Sequence, residues 1–302
     1  MQKIIVVAAA VFLIGTGVCL AQPPGITREM IERALPLEGA PKAEPGLYQV
    51  TSEPAFGSPG LHVYRPAALD AFPKKDTLPV MVWGNGGCAI DSTHFSGFLT
   101  TIASHGVLVV GTVPEGGAAR RQETADDMRA AIDWAERENV RVGSPLNNKI
   151  AVDKVAVMGT SCGGFLSLAL GADPRVKMIG VFNSGIQNGA AGGRSPQPGP
   201  DALSKLHGPV LLLNGGEPDF LMPASAATFE AINHVPAFYG ARHNAGHSAT
   251  YFHPGGGEFA NVASDWLLWQ FKGDKKAAKM FVGNSCGLCT NSNWDVKSKG
   301  IK

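Results

Sequence analysis

The chain has 302 residues, which is long enough to bury a sizeable core and fits a single α/β domain. Hydrophobic residues make up 44% and charged residues 17% of the sequence, which excludes an intrinsically disordered chain. The formal net charge of +1 gives no reason to expect a nucleic-acid partner.

The N-terminal segment has the composition of a secretory signal. An apolar run over residues 4–20 follows a lysine and ends before a small alanine, which predicts a signal peptide over residues 1–21. The alternative is a lipid anchor on Cys19. No later apolar run is long enough to cross a bilayer. We therefore expect a secreted or periplasmic protein whose single domain, residues 22–302, makes no stable membrane insertion.

Short apolar runs alternate with helical segments along the rest of the chain. The first two runs alternate polar and apolar residues and predict an antiparallel edge pair, and the later order of strands and helices predicts a mostly parallel, doubly wound α/β sheet flanked by helices. A stretch rich in glycine and proline, residues 185–200, is expected to loop over the carboxyl ends of the strands and contribute to a substrate wall. The predicted strands are 47–50, 61–64, 80–83, 106–111, 155–158, 176–182, 210–213 and, as the last, 237–239, and the predicted helices are 123–138, 164–170, 224–233 and 259–271.

The segment Gly159-Thr160-Ser161-Cys162-Gly163 has the pattern G-x-S-x-G. It follows a predicted strand and precedes a predicted helix, which is the context of a nucleophile elbow. The serine must project from a sharp turn there, and the flanking glycines let strand and helix pass closely. A glycine-rich turn that happens to contain a serine is the alternative.

A nucleophilic serine needs a histidine base that an acid orients, and in this architecture the chain order is serine, acid, histidine. Asp219 and Glu217 both follow the predicted strand 210–213. Only one can serve, and Asp219 is favoured because it falls where the loop has turned back. The alternative is that both carboxylates cap the following helix.

Four histidines follow the acid. His247 is favoured because it lies in a loop of small residues, 244–248, between the last predicted strand and the closing helix. Small neighbours leave room for the imidazole beside the serine. His243 is the second choice, and His234 and His253 are the remaining candidates.

A tetrahedral intermediate carries an oxyanion, which needs two preorganised N–H donors. The residue after the nucleophile, Cys162, supplies one. The glycine-rich segment 84–87 follows the strand 80–83 and supplies the other, with Gly87 favoured and Cys88 next in line. A plain glycine-rich turn is the alternative.

Cleavage of the predicted signal peptide removes Cys19 and leaves four cysteines, which we consider as two candidate pairs. If the oxyanion segment closes on the elbow, Cys88 and Cys162 come together, and we consider a disulfide or two buried thiols there. Cys286 and Cys289 form a C-x-x-C motif, for which a local disulfide is favoured over half of a metal site or a redox motif.

These residues together resemble the α/β-hydrolase superfamily over nearly the whole mature chain. Within it, the chain looks most like the secreted bacterial lipase and cutinase-like branch, which includes polyester hydrolases and dienelactone hydrolase-like proteins. The stretches that carry the resemblance are 78–84, 155–164, 215–219 and Gly246-His247.

The resemblance implies a triad of Ser161, Asp219 and His247, with Gly87 and Cys162 as the oxyanion donors. It implies a secreted serine hydrolase that acts on small-molecule or polymeric carboxylic esters without a cofactor or a metal. The alternatives are a secreted serine peptidase or amidase, a non-catalytic binding protein with the same fold, and chemistry at Cys162 instead of at Ser161.

The chain departs from the polyester hydrolases at three positions. Gly87 replaces a usual aromatic residue, Cys162 replaces a usual methionine, and no tryptophan stands near residues 183–184. These departures count against plastic or cutin hydrolysis and indicate a more open or differently walled pocket. Other aromatic residues are candidates to line it, although core packing is favoured for the first: Trp83, Phe95 and Phe98.

Overall fold

The computed structural model describes residues 41–117, 121–186 and 201–302, together with residues 37, 198 and 199. The predicted signal peptide, residues 1–21, lies outside the described residues, as does most of the predicted substrate wall, residues 185–200. None of the helices in the described ranges is long and apolar enough to span a membrane.

The described residues form one sheet of nine strands in the order β1-β2-β4-β3-β5-β6-β7-β8-β9. The six strands from β4 to β8 in this order pair in parallel, whereas β1, β2 and β9 pair antiparallel with their neighbours. The strands are β1 (Val50–Pro54), β2 (Leu61–Pro66), β3 (Leu78–Gly84), β4 (Leu108–Thr112), β5 (Ile150–Thr160), β6 (Val176–Phe182), β7 (Val210–Asn214), β8 (Ala237–Arg242) and β9 (Trp294–Lys299).

Helices cover both faces of this sheet, so the central strands are apolar on both sides. Strand β3 shows the pattern: Val80 and Val82 belong to one core, and Met81 and Trp83 belong to the other. The predicted mostly parallel, doubly wound architecture is confirmed. The helices are α1 (Ser96–Ser104), α2 (Ala125–Val140), α3 (Cys162–Leu170), α4 (Asp201–Ser204), α5 (Met222–Ala231), α6 (Gly257–Lys272) and α7 (Lys275–Ala278).

The two cores divide the helices between the faces. Helices α2, α3 and α5 pack on the face that carries Val80, and α1 and α6 pack on the face that carries Met81. The parallel strands all end at one edge, and the loops that follow β3, β5, β6, β7 and β8 lie there. In doubly wound sheets this edge is where ligands bind.

Several elements differ from the sequence prediction: α1, α4, α7 and β9 were not predicted, and β1 begins at Val50, where the predicted strand 47–50 ends. Helix α1 was not predicted, because its nine residues are few and include two β-branched threonines. The segment 237–239 is not the last strand, since β9 pairs antiparallel with β8. Only Trp294 of β9 is fully buried, so its sequence lacks the apolar alternation by which a strand is recognised.

Candidate active site

Ser161 lies between the end of β5 and the start of α3, at the sharp turn that the sequence predicts. Its backbone has φ 53° and ψ −115°, a strained conformation for a residue with a side chain. The turn is held on both sides, because the Ser161 amide donates to the Phe182 carbonyl at 2.8 Å and the Ser184 hydroxyl donates to the Ser161 carbonyl at 2.7 Å. The side chain is therefore presented from a fixed, half-buried turn.

The two glycines of the motif are required by close backbone contact. A Cβ on Gly163 would collide with the carbonyl group of Gly84, and a Cβ on Gly159 would collide with the carbonyl group of Gly163. Strands β3 and β5 and the first turn of α3 therefore meet without side chains between them. This packing is the physical reason for the G-x-S-x-G pattern here.

Asp219 and His247 form a hydrogen-bonded pair at the same edge. His247 Nδ1 donates to Asp219 Oδ1 at 2.8 Å, and the carboxylate is buried. The amides of Leu221 and Gly215 donate at 3.1 and 3.2 Å, and the Asn183 side chain donates at 2.8 Å. Burial raises the pKa of Asp219, but the hydrogen bonds from His247 and the amides outweigh it and hold that pKa below its usual value.

This pairing sets the protonation of the imidazole. Because the Asp219 carboxylate accepts from Nδ1, the neutral His247 ring carries its proton there and leaves Nε2 free to accept one. A histidine held in this tautomer is suited to act as a general base. The Phe220 ring packs on the imidazole with the ring centroids 4.1 Å apart, which limits its rotation.

The alternatives to these two residues lie elsewhere. Glu217 is exposed. His243 pairs with Asp295 at 3.0 Å, and His234 binds a backbone carbonyl. His253 precedes a short 3-10 turn between the His247 loop and α6. Of the sequence candidates, the structure thus brings together Asp219 and His247.

Asn183 connects the acid and histidine loops to the elbow, and this role was not predicted from the sequence. Its side-chain amide donates to Asp219 and, at 3.2 Å, to the Gly246 carbonyl, while the Tyr251 hydroxyl donates to its oxygen at 2.8 Å. The preceding residue of the chain accepts the Ser161 amide. An asparagine directly after a buried strand was the available signal.

Within the described residues, no hydrogen bond joins the Ser161 hydroxyl to His247. In enzymes without substrate this bond is often long or poorly aligned, and it tightens when substrate binds. That Ser161, Asp219 and His247 act together as a catalytic triad therefore stays a prediction.

The segment after β3 approaches the elbow. A 3-10 turn over Gly86–Cys88 places Gly87 in the left-handed region with φ 63°, and a Cβ there would meet open space. The Gly163 amide donates to the Asn85 carbonyl at 2.9 Å, which joins the turn to α3. Among the described residues, the amide of Cys162, the first of α3, has no acceptor. The turn that carries Gly87 is thus joined to the start of α3, and the roles of the Gly87 and Cys162 amides as oxyanion donors stay a prediction.

A disulfide joins Cys88 to Cys162, with the two Cα atoms 5.2 Å apart. It links the residue after Gly87 to the residue after Ser161, as the hypothesis from the sequence requires. Apolar side chains surround this bond, and we call the group the disulfide cluster: Cys88, Cys162, Phe165 and Leu221, with Phe220 and Ala224 packed against it.

A second disulfide joins Cys286 to Cys289, with the Cα atoms 4.8 Å apart. This local bond is the predicted alternative to a metal half-site or a redox motif. In the parts of the chain that the structure describes, no group of three or more His, Cys, Asp or Glu residues is arranged to hold a metal ion.

Of the three aromatic candidates for the pocket lining, Trp83 and Phe98 lie in the core. Trp83 and Phe98 are fully buried in the core shared with α6, with their ring centroids 5.0 Å apart. Phe95 packs on Trp83 from the surface side and stacks on Phe252. Core packing, which the sequence favours for Trp83, is confirmed, and the expectation of a pocket wall is wrong for Phe98, because both side chains are enclosed between the sheet and its helices.

Comparison with protein families supports the α/β-hydrolase superfamily. The model of the X-Pro dipeptidyl-peptidase (S15 family) matches residues 96–193, a segment that contains Ser161 and ends before Asp219 and His247. The comparison with curated proteins finds no match. The matched family is of the α/β-hydrolase type, which confirms the predicted fold and supports a serine hydrolase. The match supports the superfamily but not the lipase and cutinase-like branch within it.

Proposed function

We propose that the protein is a serine hydrolase that cleaves carboxylic esters through an acyl-enzyme on Ser161. The observation that carries this proposal is the hydrogen bond between Asp219 and His247, at the sheet edge that also presents Ser161 from a strained turn. A structural ion pair would not need a nucleophile elbow beside it. Acyl transfer requires a nucleophile, a general base and an acid that orients the base, and Ser161, His247 and Asp219 are the proposed groups.

In the proposed reaction, His247 Nε2 takes the proton of Ser161 as its oxygen attacks the acyl carbonyl carbon. Asp219 stabilises the imidazolium that forms, and the amides of Gly87 and Cys162 bind the oxyanion. The intermediate collapses when His247 gives its proton to the leaving alcohol. Water then attacks the acyl-enzyme by the same route, which releases the acid and frees the serine.

The disulfide cluster lies at the elbow, and its four core members are already buried. Phe220 and Ala224, which pack against it, are half-buried, and Phe220 also packs on His247, so these two side chains support an apolar acyl group. Burial of an apolar acyl chain against such side chains contributes about 0.8 kcal/mol per methylene. The lipase and cutinase-like branch is supported by the sequence stretches alone, and Gly87 supplies no aromatic clamp for a polyester.

A serine peptidase is the second candidate, because the matched family model is that of a dipeptidyl-peptidase. Such an enzyme must bind the free ammonium group of a peptide N-terminus, for which a carboxylate near the serine is suited. The Asp219 carboxylate is already engaged by four donors, whereas Glu217 is exposed in the same loop. Glu217 is therefore the candidate anchor for a peptide substrate.

We further propose that the protein is exported. The predicted signal peptide over residues 1–21 and the two disulfides support this, because disulfides persist in oxidising compartments.

The test is labelling of the purified protein with a fluorophosphonate, followed by mass mapping of the adduct. We expect a single adduct on Ser161 that is absent in Ser161→Ala and much slower to form in His247→Ala. His243→Ala is the matched control and should label at the wild-type rate. Absence of labelling in well-folded wild-type protein would favour the non-catalytic binding protein.

Substrate class is then decided by comparing p-nitrophenyl esters of increasing acyl length with an X-Pro p-nitroanilide. We expect kcat/KM to be higher for the esters, and to rise with acyl length because of the disulfide cluster. A higher value for the anilide, lost in Glu217→Gln, would favour the peptidase.

A further inference from the structure

Glu123 is a fully buried carboxyl group that the proposed reaction does not use. It directly precedes Thr124, the N-cap residue of α2. Its Oε2 accepts the Asn85 amide at 2.7 Å, and its Oε1 accepts the Thr112 hydroxyl at 2.8 Å. The Asn85 side-chain amide also donates to the Thr112 hydroxyl at 3.0 Å, which closes a small buried network under the turn that carries Gly87.

The contacts of Glu123 reach both ends of that turn. Its carboxylate accepts the Asn85 amide at the start, and its own amide donates to the Cys88 carbonyl at 2.8 Å at the end. Gly87, between these ends, has open space where a side chain would be, so no side chain packs there to hold it. The direction of the Gly87 amide is therefore set by how the two ends are held.

We propose that Glu123 is a positioning residue whose carboxylate fixes the Asn85–Cys88 turn and so aims the Gly87 amide at the oxyanion, an inference that rests on the proposed ester hydrolysis at Ser161. The disulfide holds Cys88 to α3 from one side. Glu123 holds the same turn by hydrogen bonds from its place between β4 and α2. A missing or displaced oxyanion donor typically costs about 10²-fold to 10³-fold in rate.

The observed network, in which both carboxylate oxygens accept, matches the ionised form of Glu123. Two donors point at two different carboxylate oxygens, and a protonated carboxyl group must give up one acceptor position to its own proton. Burial raises the pKa of Glu123 to about 7, although the bonds from Asn85 and Thr112 oppose that rise. The charged groups that face it are Asp127, which raises this pKa, and Arg121, which lowers it. The ionised fraction of Glu123 therefore falls as the pH falls through about 7.

This predicts a second proton step on the acid side of the pH–rate profile. The general base His247 must be neutral to accept the serine proton, which accounts for one step. If Glu123 must also be ionised, the slope of log kcat/KM against pH exceeds one and approaches about two below neutral pH. This slope is measured on the wild-type protein and does not depend on the folding of any variant.

The variant experiment compares Glu123→Gln with Glu138→Gln on the best ester substrate. Glu138 is also a buried, hydrogen-bonded carboxylate, but its partners are Arg141 and Ser144, away from the turn. We expect Glu123→Gln to lower kcat about 10-fold to 100-fold with little change in KM, and to reduce the acid-side slope to about one. Thr112→Val, which removes one donor to Glu123, should lower kcat in the same direction.

The control Glu138→Gln should retain both the wild-type kcat and the wild-type slope. Fluorophosphonate labelling separates the two proposals. If the wild-type protein labels at Ser161 but Glu123→Gln has the wild-type slope and kcat, Glu123 is not a positioning residue. If the wild-type protein does not label at any pH, the proposed ester hydrolysis itself fails. A loss of kcat of equal size in both Gln variants would overturn the specific role of Glu123.

Discussion

Removal of the Cys88–Cys162 disulfide by the double change Cys88→Ala/Cys162→Ala should reduce stability and activity together. The two residues are 74 positions apart. A cross-link over a loop of that length removes chain entropy from the unfolded state worth about 4.4 kcal/mol at 25 °C. Typical domains are stable by about 5–15 kcal/mol, so the expected loss is a large fraction of the total.

The second disulfide provides the matched control. Cys286 and Cys289 are 3 positions apart, and the same relation gives about 1.6 kcal/mol for so short a loop. Urea unfolding followed by tryptophan fluorescence measures both losses. The double change at Cys88 and Cys162 should cost more than twice as much as the change Cys286→Ala/Cys289→Ala.

The two disulfides should also differ in their effect on the rate. Cys162→Ala keeps the backbone amide, but without the bond the turn that carries Gly87 is free to move, and we expect kcat to fall about 10-fold or more. Removal of the Cys286–Cys289 bond should leave kcat unchanged. Free thiols at Cys88 and Cys162 in peptides mapped without reductant would refute the reasoning, and so would equal stability losses for the two double variants.

Three further predictions concern single residues. Asp219→Asn should lower kcat on esters by up to about 10⁴-fold because His247 then takes the wrong tautomer, whereas Glu217→Gln should leave ester turnover unchanged; steady-state kinetics distinguish them. Gly163→Ala should prevent close packing of the elbow and lower the melting temperature sharply, with loss of activity; a wild-type melting curve would contradict the stated collision. The folded-state pKa of Glu123 is about 7 against an ordinary 4.5, so the folded protein binds the extra proton and stability falls as the pH rises through this window, by about 3 kcal/mol. Urea unfolding from pH 4.5 to pH 7.5 measures this decline, which Glu123→Gln should remove and a flat wild-type profile would refute.

The raised pKa of Glu123 also affects catalysis. The ionised form of Glu123 that we propose for catalysis is the form that burial disfavours. Activity and stability should therefore change in opposite directions as the pH rises toward 7. Charged groups held in buried sites near a reacting centre commonly show this opposition.

The order of strands and helices could be predicted from the sequence because the central strands are apolar on both faces. Strand β6 was predicted with the bounds that the structure gives, and β3, β4 and β7 within a few residues. The elbow was also predictable, since the close contact of Gly159 and Gly163 with neighbouring backbone leaves no room for side chains. Such local requirements are visible in the residue types themselves.

Partners that are distant in the chain could be ranked from the sequence but not fixed by it. Glu217 and Asp219 are equivalent as residue types, and only the folding of the loop buries one beside His247 and exposes the other. Strand β9 becomes a strand through pairing with β8, since its own pattern is weakly apolar. The roles of Asn183 and Glu123 depend on hydrogen bonds to residues 36 and 38 positions away, respectively.

The sequence by itself therefore determined the fold class and the nucleophile elbow. Both depend on residues that are close together in the chain, through the periodicity of buried side chains and the steric exclusion of side chains at the elbow. Only the tertiary structure decided which carboxylate faces the histidine, which cysteines meet and what holds the turn that carries Gly87. Those outcomes depend on where the parallel strands end relative to one another. Hydrogen bonds and a disulfide between separate loops then fix the side chains at that common edge.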